Sequence, residues 1–191
     1  GHIGDAQVRN FGTIGGNVAH ADPASDLPTV LVALDARFVA AGAQGERTIP
    51  ASEFFQGMMT TALGANEILT AIEIPAKQAG QGMAYAKFVH PASRYAVIGV
   101  AALVTMKGGS CVGAHVAIGG LLPVAARLPD VEAALTGSKP SADAIAKAAA
   151  LTVRHLGDEV LGDIFASAEY RRAMAPVFVR RALAAAFERA A

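Results

Sequence analysis

Cysteine and long apolar runs are what this chain most clearly lacks. One cysteine, Cys111, occurs in 191 residues, which excludes an internal disulfide and any cysteine-ligated cluster held by this chain alone. The apolar runs are short and interrupted by glycine, proline or charge, so none approaches the roughly 20 residues of a transmembrane helix. We expect no secretory signal. We therefore expect a cytoplasmic protein without a transmembrane segment.

An excess of charge of one sign is absent as well. Lysine and arginine together number 16, as do aspartate and glutamate, so the formal net charge is +0. This balance excludes the electrostatic footprint of a protein that binds nucleic acid or a membrane surface. Hydrophobic residues make up 53% of the chain and charged residues only 17%, with much of the excess in alanine. This composition indicates closely packed helices and a large subunit interface, in one large domain or two small ones.

A recognisable set of catalytic residues is also missing. The serines do not lie in a nucleophile elbow, and no Gly-Lys-Ser/Thr segment of the Walker A type occurs. His20 and Asp22 are close enough in sequence to share a metal, but no third ligand is near them, and His90, His115 and His155 share no spacing. We predict neither a catalytic residue nor a metal site. Such a chain is typical of a subunit whose chemistry is carried by a bound cofactor.

A glycine-rich stretch at residues 12–27, GTIGGNVAHADPASDL, is the strongest local signal. Gly15 and Gly16 have no Cβ, so the backbone there is free to adopt positive φ and to approach a bound group closely. The pair Asp22-Pro23 predicts a helix N-cap followed by proline at the first helical position. A glycine turn beside a helix N-terminus predicts a site for a phosphate.

The first part of the chain predicts a mixture of helix and strand. Apolar residues at helical spacing extend the helix that opens at Asp22 to about residue 34. Strands are predicted at residues 37–41 and 67–74, with one helical turn at 50–55. Residues 77–82 are polar and glycine-rich, the composition of a linker. We therefore predict two domains, residues 1–79 and 80–191.

The second part predicts an antiparallel sheet followed by helices, which defines an α+β fold class. Its apolar segments are joined by short connections, as in antiparallel sheets. The predicted strands are residues 83–89, 97–106 and 111–118, three in all. The predicted helices are residues 129–135, 142–155 with Ser141 as N-cap, and 168–190. Pro176 inside the last helix predicts a kink or a break there.

Residues 8–28, VRNFGTIGGNVAHADPASDLP, resemble the second FAD-binding motif of the molybdenum hydroxylase flavoproteins. This family includes the medium subunits of aerobic carbon monoxide dehydrogenases and the flavin domain of xanthine dehydrogenases. The stretches that extend the resemblance, in the same order, are residues 67–75, 85–88, 94–97, 169–172 and 180–183. Residues 90–95 resemble the carbon monoxide dehydrogenase-like group most.

The resemblance implies a fold and a cofactor. The fold is the C-terminal part of a PCMH-type FAD-binding domain, followed by a three-stranded antiparallel sheet packed with helices, as in the C-terminal domain of carbon monoxide dehydrogenase flavoproteins. The residues implied at the FAD diphosphate are Thr13, Gly15, Gly16 and Asn17. Those implied along the rest of the cofactor are His20 beside it, Asp26 at the sugar hydroxyls, Leu69 under the flavin or adenine, Lys87 near the flavin ring and Tyr95 against one ring face.

Four of these implied contacts have a simpler structural alternative. Asp26 is also typical of an acidic residue in the first turn of a helix. Lys87 is also typical of a solvated strand lysine, and Leu69 and Tyr95 of core or interface positions. These alternatives remain open at the level of sequence.

The family also implies electron transfer within a larger complex. A molybdopterin large subunit oxidises the substrate, a small subunit carries electrons through iron–sulfur clusters, and FAD passes them to an external acceptor. We expect these two subunits as partners, in a dimer of heterotrimers, with contact to the inner face of the membrane through them. No nucleic acid is expected as a partner, and the substrate is left open.

One feature of the family is not found here: an earlier Gly-Gly phosphate loop in a preceding small lobe. The chain begins Gly1-His2-Ile3 without methionine, which indicates a piece of a longer polypeptide or the remnant of a tag. By itself it is expected to bind FAD poorly or not at all, unless another chain supplies that lobe. Two alternatives follow: a cofactor-free assembly module, or another flavoenzyme of the vanillyl-alcohol oxidase superfamily.

Overall fold

The computed structural model describes residues 3–4 and 6–190, so Gly1 and His2, where a tag or fragment start was expected, lie outside the described residues. The helices of the first part are α1 (Ala6–Phe11), α2 (Ile14–His20), α3 (Asp26–Ala33) and α4 (Ala51–Phe54). Its strands are β1 (Arg37–Gly42), β2 (Gly45–Pro50), β3 (Phe55–Gly57), β4 (Thr60–Thr61) and β5 (Ile68–Glu73). The predicted strands and the helical turn of this part are confirmed.

An antiparallel sheet in the order β2-β1-β5 organises the first part. Strand β1 alternates, with Phe38 and Ala40 buried on one face, as a half-buried strand should. Phe38 packs against Phe54 and Phe55 with ring centroids 4.2 and 5.7 Å apart. This aromatic group and the buried side of α3 form the core of the first part.

The glycine pair lies in a helix, so the predicted glycine turn is wrong. Thr13 is the N-cap of α2, with extended backbone, and its Oγ1 accepts a hydrogen bond from the Gly16 N–H at 3.0 Å. Neither Gly15 nor Gly16 adopts positive φ. A Cβ on Gly16 would lie 2.9 Å from the Thr13 oxygen. This glycine therefore makes room for the cap instead of bending the chain.

The predicted helix start at Asp22 is also wrong, because α3 begins at Asp26. Residues 22–25 form a turn in which Asp22 Oδ1 accepts from the Ala24 N–H at 2.9 Å. This side-chain bond favours a local turn over a helix at aspartate. Pro28 lies in the first turn of α3, where its missing N–H would have no partner in the helix anyway.

The second part contains a larger antiparallel sheet in the order β6-β7-β8-β9. Its strands are β6 (Gln81–Val89), β7 (Ala96–Lys107), β8 (Ser110–Gly119) and β9 (Ala126–Arg127). Its helices are α5 (Pro129–Leu135), α6 (Ala142–Ala150), a 3₁₀ turn (Leu151–His155) and α7 (Ala168–Ala190). The three predicted strands are confirmed, and the two-residue β9 makes a fourth. Ser141 caps α6 as predicted, accepting from the Ala144 N–H at 3.1 Å.

Helix α7 continues through Pro176 without a break. Its buried side packs on β6 and β7, and this tertiary packing stabilises the helix despite the hydrogen bond that proline removes. The approach is close at Gly82, where a Cβ would lie 2.0 Å from the Ala186 carbonyl oxygen. None of the helices in residues 3–4 and 6–190 has both the length and the apolar character needed to span a membrane.

The two parts share the larger sheet, because α3 packs on β7 and β8. Ala101 and Ala117 of these strands belong to the core of the first part, whereas Val100 and Val116 belong to the core under α7. Successive residues of a strand point to opposite faces, so α3 and α7 cover opposite faces of the sheet. A Cβ on Gly119 would lie 2.1 Å from the Thr29 hydroxyl oxygen of α3. This close packing brings the start of α3 next to β6.

Candidate cofactor site

The predicted site begins on α2, which presents exposed or half-buried residues at its N-terminal end. Thr13 and Gly16 are exposed, and Gly15 and Asn17 are half-buried. A Cβ built on Gly15 has no neighbouring atom within 4 Å, so this edge of the helix faces open space. Small residues with free space in front of them allow a ligand to approach the backbone closely.

Asn17 connects α2 to the turn before α3. Its side-chain Oδ1 accepts from the Ser25 Oγ at 2.6 Å, and Ser25 is buried. The carbonyl of Asn17 is therefore engaged, and its amide nitrogen is the atom that it offers to a ligand. His20 is exposed at the other end of α2. Ser25 was not predicted as a site residue.

Asp26 and Lys87 form a buried ion pair at the junction of α3 and β6. Lys87 Nζ lies 2.7 Å from Asp26 Oδ2, and their side chains are 5% and 8% exposed respectively. Tyr85 donates its hydroxyl hydrogen to Asp26 Oδ1 at 2.6 Å. Burial raises the pKa of Tyr85, and the charge of Asp26 raises it further, so the phenol stays a neutral donor.

This geometry changes the expectation for Asp26 and Lys87. Both carboxylate oxygens of Asp26 already accept hydrogen bonds from this chain, and Lys87 is not a solvated strand lysine. Tyr85 was missed as a partner, although residues 85 and 87 must point to the same face of a strand. A buried pair is tolerated only when its remaining polar atoms are also satisfied, and Tyr85 contributes to this.

Leu69 and Tyr95 lie at the margins of this arrangement. Leu69 is half-buried on β5, opposite Ala40 of β1, and packs against the core of the first part. Tyr95 is half-buried in the connection between β6 and β7. The next residue, Ala96, donates its N–H to the Ala24 carbonyl at 2.9 Å. Tyr95 is therefore next to the turn that leads into α3.

A cavity of about 220 Å³ opens beside Tyr95. Its lining comes from the turn before α3, the connection between β6 and β7, the start of β7, the segment before α7 and the first turn of α7. The residues are Asp22, Ala24, His90, Ser93, Tyr95, Ala96, Val97, Asp163 and Arg171. The Ala166 N–H holds the pKa of Asp163 below its usual value, and the charge of Arg171 acts in the same direction. Asp163 and Arg171 were not predicted as site residues.

A second cavity lies apart from the residues described so far. A larger cavity, about 580 Å³, is lined by residues 42–47 and 64–67 and contains none of the predicted site residues. Within residues 3–4 and 6–190, no group of three or more histidine, cysteine, aspartate or glutamate side chains is placed to hold a metal ion. The candidate cofactor site is therefore the set of residues described above, from the N-terminal end of α2 through the Asp26–Lys87 pair to Tyr95.

Each part of the chain matches a known protein family. Residues 1–77 match the family model described as the FAD binding domain in molybdopterin dehydrogenase. Residues 83–186, more than half of the chain, match the model of the CO dehydrogenase flavoprotein C-terminal domain. These matches, with the antiparallel sheets described above, confirm the predicted fold class.

Individual relatives agree with the family models. The chain is 37% identical to the carbon monoxide dehydrogenase medium chain of Hydrogenophaga pseudoflava over 191 residues, covering 99% of this chain and 65% of that one. It is 35% identical to the nicotine 6-hydroxylase medium subunit of Paenarthrobacter nicotinovorans over 185 residues, covering 95% and 63%. A solved Hydrogenophaga pseudoflava carbon monoxide dehydrogenase, which lacks the Mo-pyranopterin moiety of its cofactor, matches with a TM-score of 0.93 at 39% identity, covering 100% of this chain and 66% of that one.

Proposed function

Because the chain belongs to the CO dehydrogenase flavoprotein C-terminal domain family, we propose that it is part of the flavin subunit of a molybdenum-containing hydroxylase. In this function FAD accepts electrons from iron–sulfur clusters and passes them to an external acceptor. The chain's own residues bind and orient the cofactor. The observation that supports this proposal is a chain of contacts that begins at α2. Ser25 donates to Asn17 of α2, and the next residue, Asp26, accepts from Lys87.

The exposed N-terminal end of α2 is proposed to contact the diphosphate of FAD. Thr13 and Asn17 supply a hydroxyl and an amide, and Gly15 supplies an unobstructed backbone, which suit an anion that needs hydrogen-bond donors at close range. Gly16 belongs to the same set, with its N–H bonded to Thr13 Oγ1. His20 lies on the same helix and is the proposed flanking contact. These residues of α2 and its cap would contact one side of the cofactor.

The buried pair of Asp26 and Lys87 is proposed to lie near the flavin end of the cofactor. Lys87 brings a positive charge next to the first residue of α3, and Asp26 holds its ammonium group in place at 2.7 Å. An additional bond from Asp26 to a sugar hydroxyl would have to share oxygens that Tyr85 and Lys87 already use. Leu69 and Tyr95 are proposed as apolar contacts to the ring systems, since half-buried apolar side chains suit flat aromatic groups.

A second side of the site is proposed to come from outside this sequence. The chain spans 65% of the length of the curated relative named above. Apolar side chains on α1, α2 and β5 lie open to solvent: Phe11 is 89% exposed, Ile14 62% and Ile68 72%. Contiguous apolar surface often marks a place that another element covers, and we propose such a cover for these side chains. The chain alone is therefore proposed to bind FAD weakly.

The remaining assignments belong to the same proposal. The partners are an iron–sulfur small subunit and a molybdopterin large subunit, assembled as a dimer of heterotrimers. The location is the cytoplasm, with contact to the inner face of the membrane through the partners. The domain boundary lies between residues 79 and 80, between the stretches that the two family models match.

The test is the flavin content of the intact protein, by which we mean the full natural polypeptide purified with the subunits that accompany it. The expected result is a stoichiometric amount of flavin that is released by acid and identified as FAD. Copurification of iron–sulfur and molybdenum subunits with a flavin-free chain would contradict the proposal. That result would instead favour an assembly module.

A further inference from the structure

Arg171, a buried arginine outside the predicted site, joins separate segments of the second part. It lies in the first turn of α7 and is 6% exposed. Its Nη1 donates to the carbonyls of Val97 at 3.3 Å and Gly120 at 3.0 Å, its Nε donates to Ala166 at 3.1 Å, and its Nη2 pairs with the Asp163 carboxylate. The guanidinium group therefore connects the start of β7, the residue after β8 and the segment before α7.

The same ends of β7 and β8 hold the turn at residues 22–25. The Gly120 N–H donates to the Pro23 carbonyl, and the Ala96 N–H donates to the Ala24 carbonyl, both at 2.9 Å. These bonds come from outside the turn and anchor it to the larger sheet. The turn leads directly into the first residue of α3, which is Asp26.

Gly120 is where the two sets of bonds meet. Its carbonyl accepts from Arg171, and its N–H donates to the turn. Its φ is +84°, and a Cβ there would lie 2.5 Å from the Ala96 carbonyl oxygen. The backbone of Gly120 and the start of β7 are thus in direct contact, and a shift of one displaces the other.

We infer that Arg171 is a positioning residue for the proposed cofactor site. It fixes the backbone of Val97 and Gly120, and through them it holds the turn that leads into Asp26. An arginine is required because its planar fork of five N–H donors serves three carbonyls and a carboxylate together, which the ammonium group of lysine cannot do. This inference rests on the proposed function for its cofactor part only.

The first readout is hydrogen exchange of the Ala96 and Gly120 amides in the intact protein. In Arg171→Gln both amides are expected to exchange about tenfold faster or more, because the carbonyls beside them lose a charged donor. The Met106 N–H, which bonds to Gly80 at the far end of β7, is expected to keep its rate. Unchanged rates at Ala96 and Gly120, or one common increase across the whole sheet, would overturn the inference.

The neighbouring Arg172 supplies a matched control. Its guanidinium group also donates to main-chain carbonyls, those of Leu156 and Gly157, which belong to the segment after the 3₁₀ turn. Arg172→Gln therefore removes a similar group from the same helix turn. It is expected to leave the exchange rates at Ala96 and Gly120 unchanged, and an equal acceleration there would overturn the inference.

The second readout is flavin binding in the intact protein. Arg171→Gln is expected to raise the FAD dissociation constant about tenfold or more and to alter the visible circular dichroism of the bound flavin. Arg171→Lys, which retains the charge, is expected to lie between the wild type and Arg171→Gln, and it replaces that variant if Arg171→Gln does not fold. Normal flavin binding with fast exchange at both amides would overturn the cofactor part of the inference. A wild-type protein without flavin would contradict the proposed function, while the exchange rates would still decide whether Arg171 holds the turn.

Discussion

Replacing Lys87 by methionine is expected to destabilise the chain through the charge that remains on Asp26. Methionine preserves most of the apolar stem but removes the ammonium group from a pair whose side chains are 5% and 8% exposed. Removing one partner of a buried ion pair costs about 3–5 kcal/mol, because the other charge stays buried without compensation. For a domain of this size, 1 kcal/mol corresponds to about 2–4 °C in Tm, so we expect Tm to fall by roughly 6–20 °C.

The double variant Asp26→Asn/Lys87→Met tests whether this loss arises from the pair itself. It removes both charges and retains an oxygen that can accept from Tyr85. Residues in direct contact show coupling free energies of about 0.5–3 kcal/mol, so the double variant should be more stable than the sum of the two single losses predicts. The assay is urea unfolding followed by circular dichroism, with an unchanged denaturant slope.

A lysine on the surface provides the control for this experiment. Lys107→Met, at the exposed end of β7, is expected to change stability by no more than about 0.5 kcal/mol. If Lys87→Met behaves like Lys107→Met, or if the losses of the two single variants simply add, Asp26 and Lys87 do not form the buried pair described above.

Two further predictions concern close packing and pH. Gly82→Ala is expected to lower the free energy of unfolding by about 1–3 kcal/mol, because its Cβ would lie 2.0 Å from a main-chain oxygen of α7. Gly113→Ala is the control, since its Cβ would meet no atom within 4 Å, and it should leave stability unchanged. Equal Tm values for the two variants would refute this. The hydrogen bond from Arg47 lowers the pKa of Glu67 from 4.5 to about 2. Stability from this pair is therefore present above about pH 4.5 and lost as the pH falls towards 2, so the gap between wild type and Glu67→Gln should close over that range. A gap that is constant with pH, or a Glu67 pKa that does not rise in Arg47→Met, would contradict this reasoning.

The elements of the chain were predictable from sequence wherever their signal is local. The hairpin between β7 and β8 and the Ser141 cap of α6 each depend on residues a few positions apart. Residues 8–28 also indicated the family, because their order and spacing carry the resemblance. The sequence predicts a turn at the glycine pair, which lies in α2, because a threonine cap and a glycine turn use the same residue types.

Contacts between positions far apart in the sequence were not predictable in this way. The hydrogen bond between Tyr85 and Asp26 spans 59 positions, and that between Arg171 and Val97 spans 74. Both depend on how closely α3 and α7 approach the larger sheet, which glycines such as Gly119 permit. Such distances are properties of the packed fold, and no local pattern encodes them.

Substitution of Gly15 by leucine tests the cofactor site most directly. A Cβ at this position meets no atom of the chain within 4 Å, so Gly15→Leu should leave Tm unchanged or slightly higher, as expected for a glycine replaced within a helix. A side chain there would project into the space assigned to the FAD diphosphate. The intact protein carrying Gly15→Leu is therefore predicted to fold normally and to lose its flavin. A normally folded Gly15→Leu protein with a full complement of FAD would contradict the assignment of α2 to the cofactor.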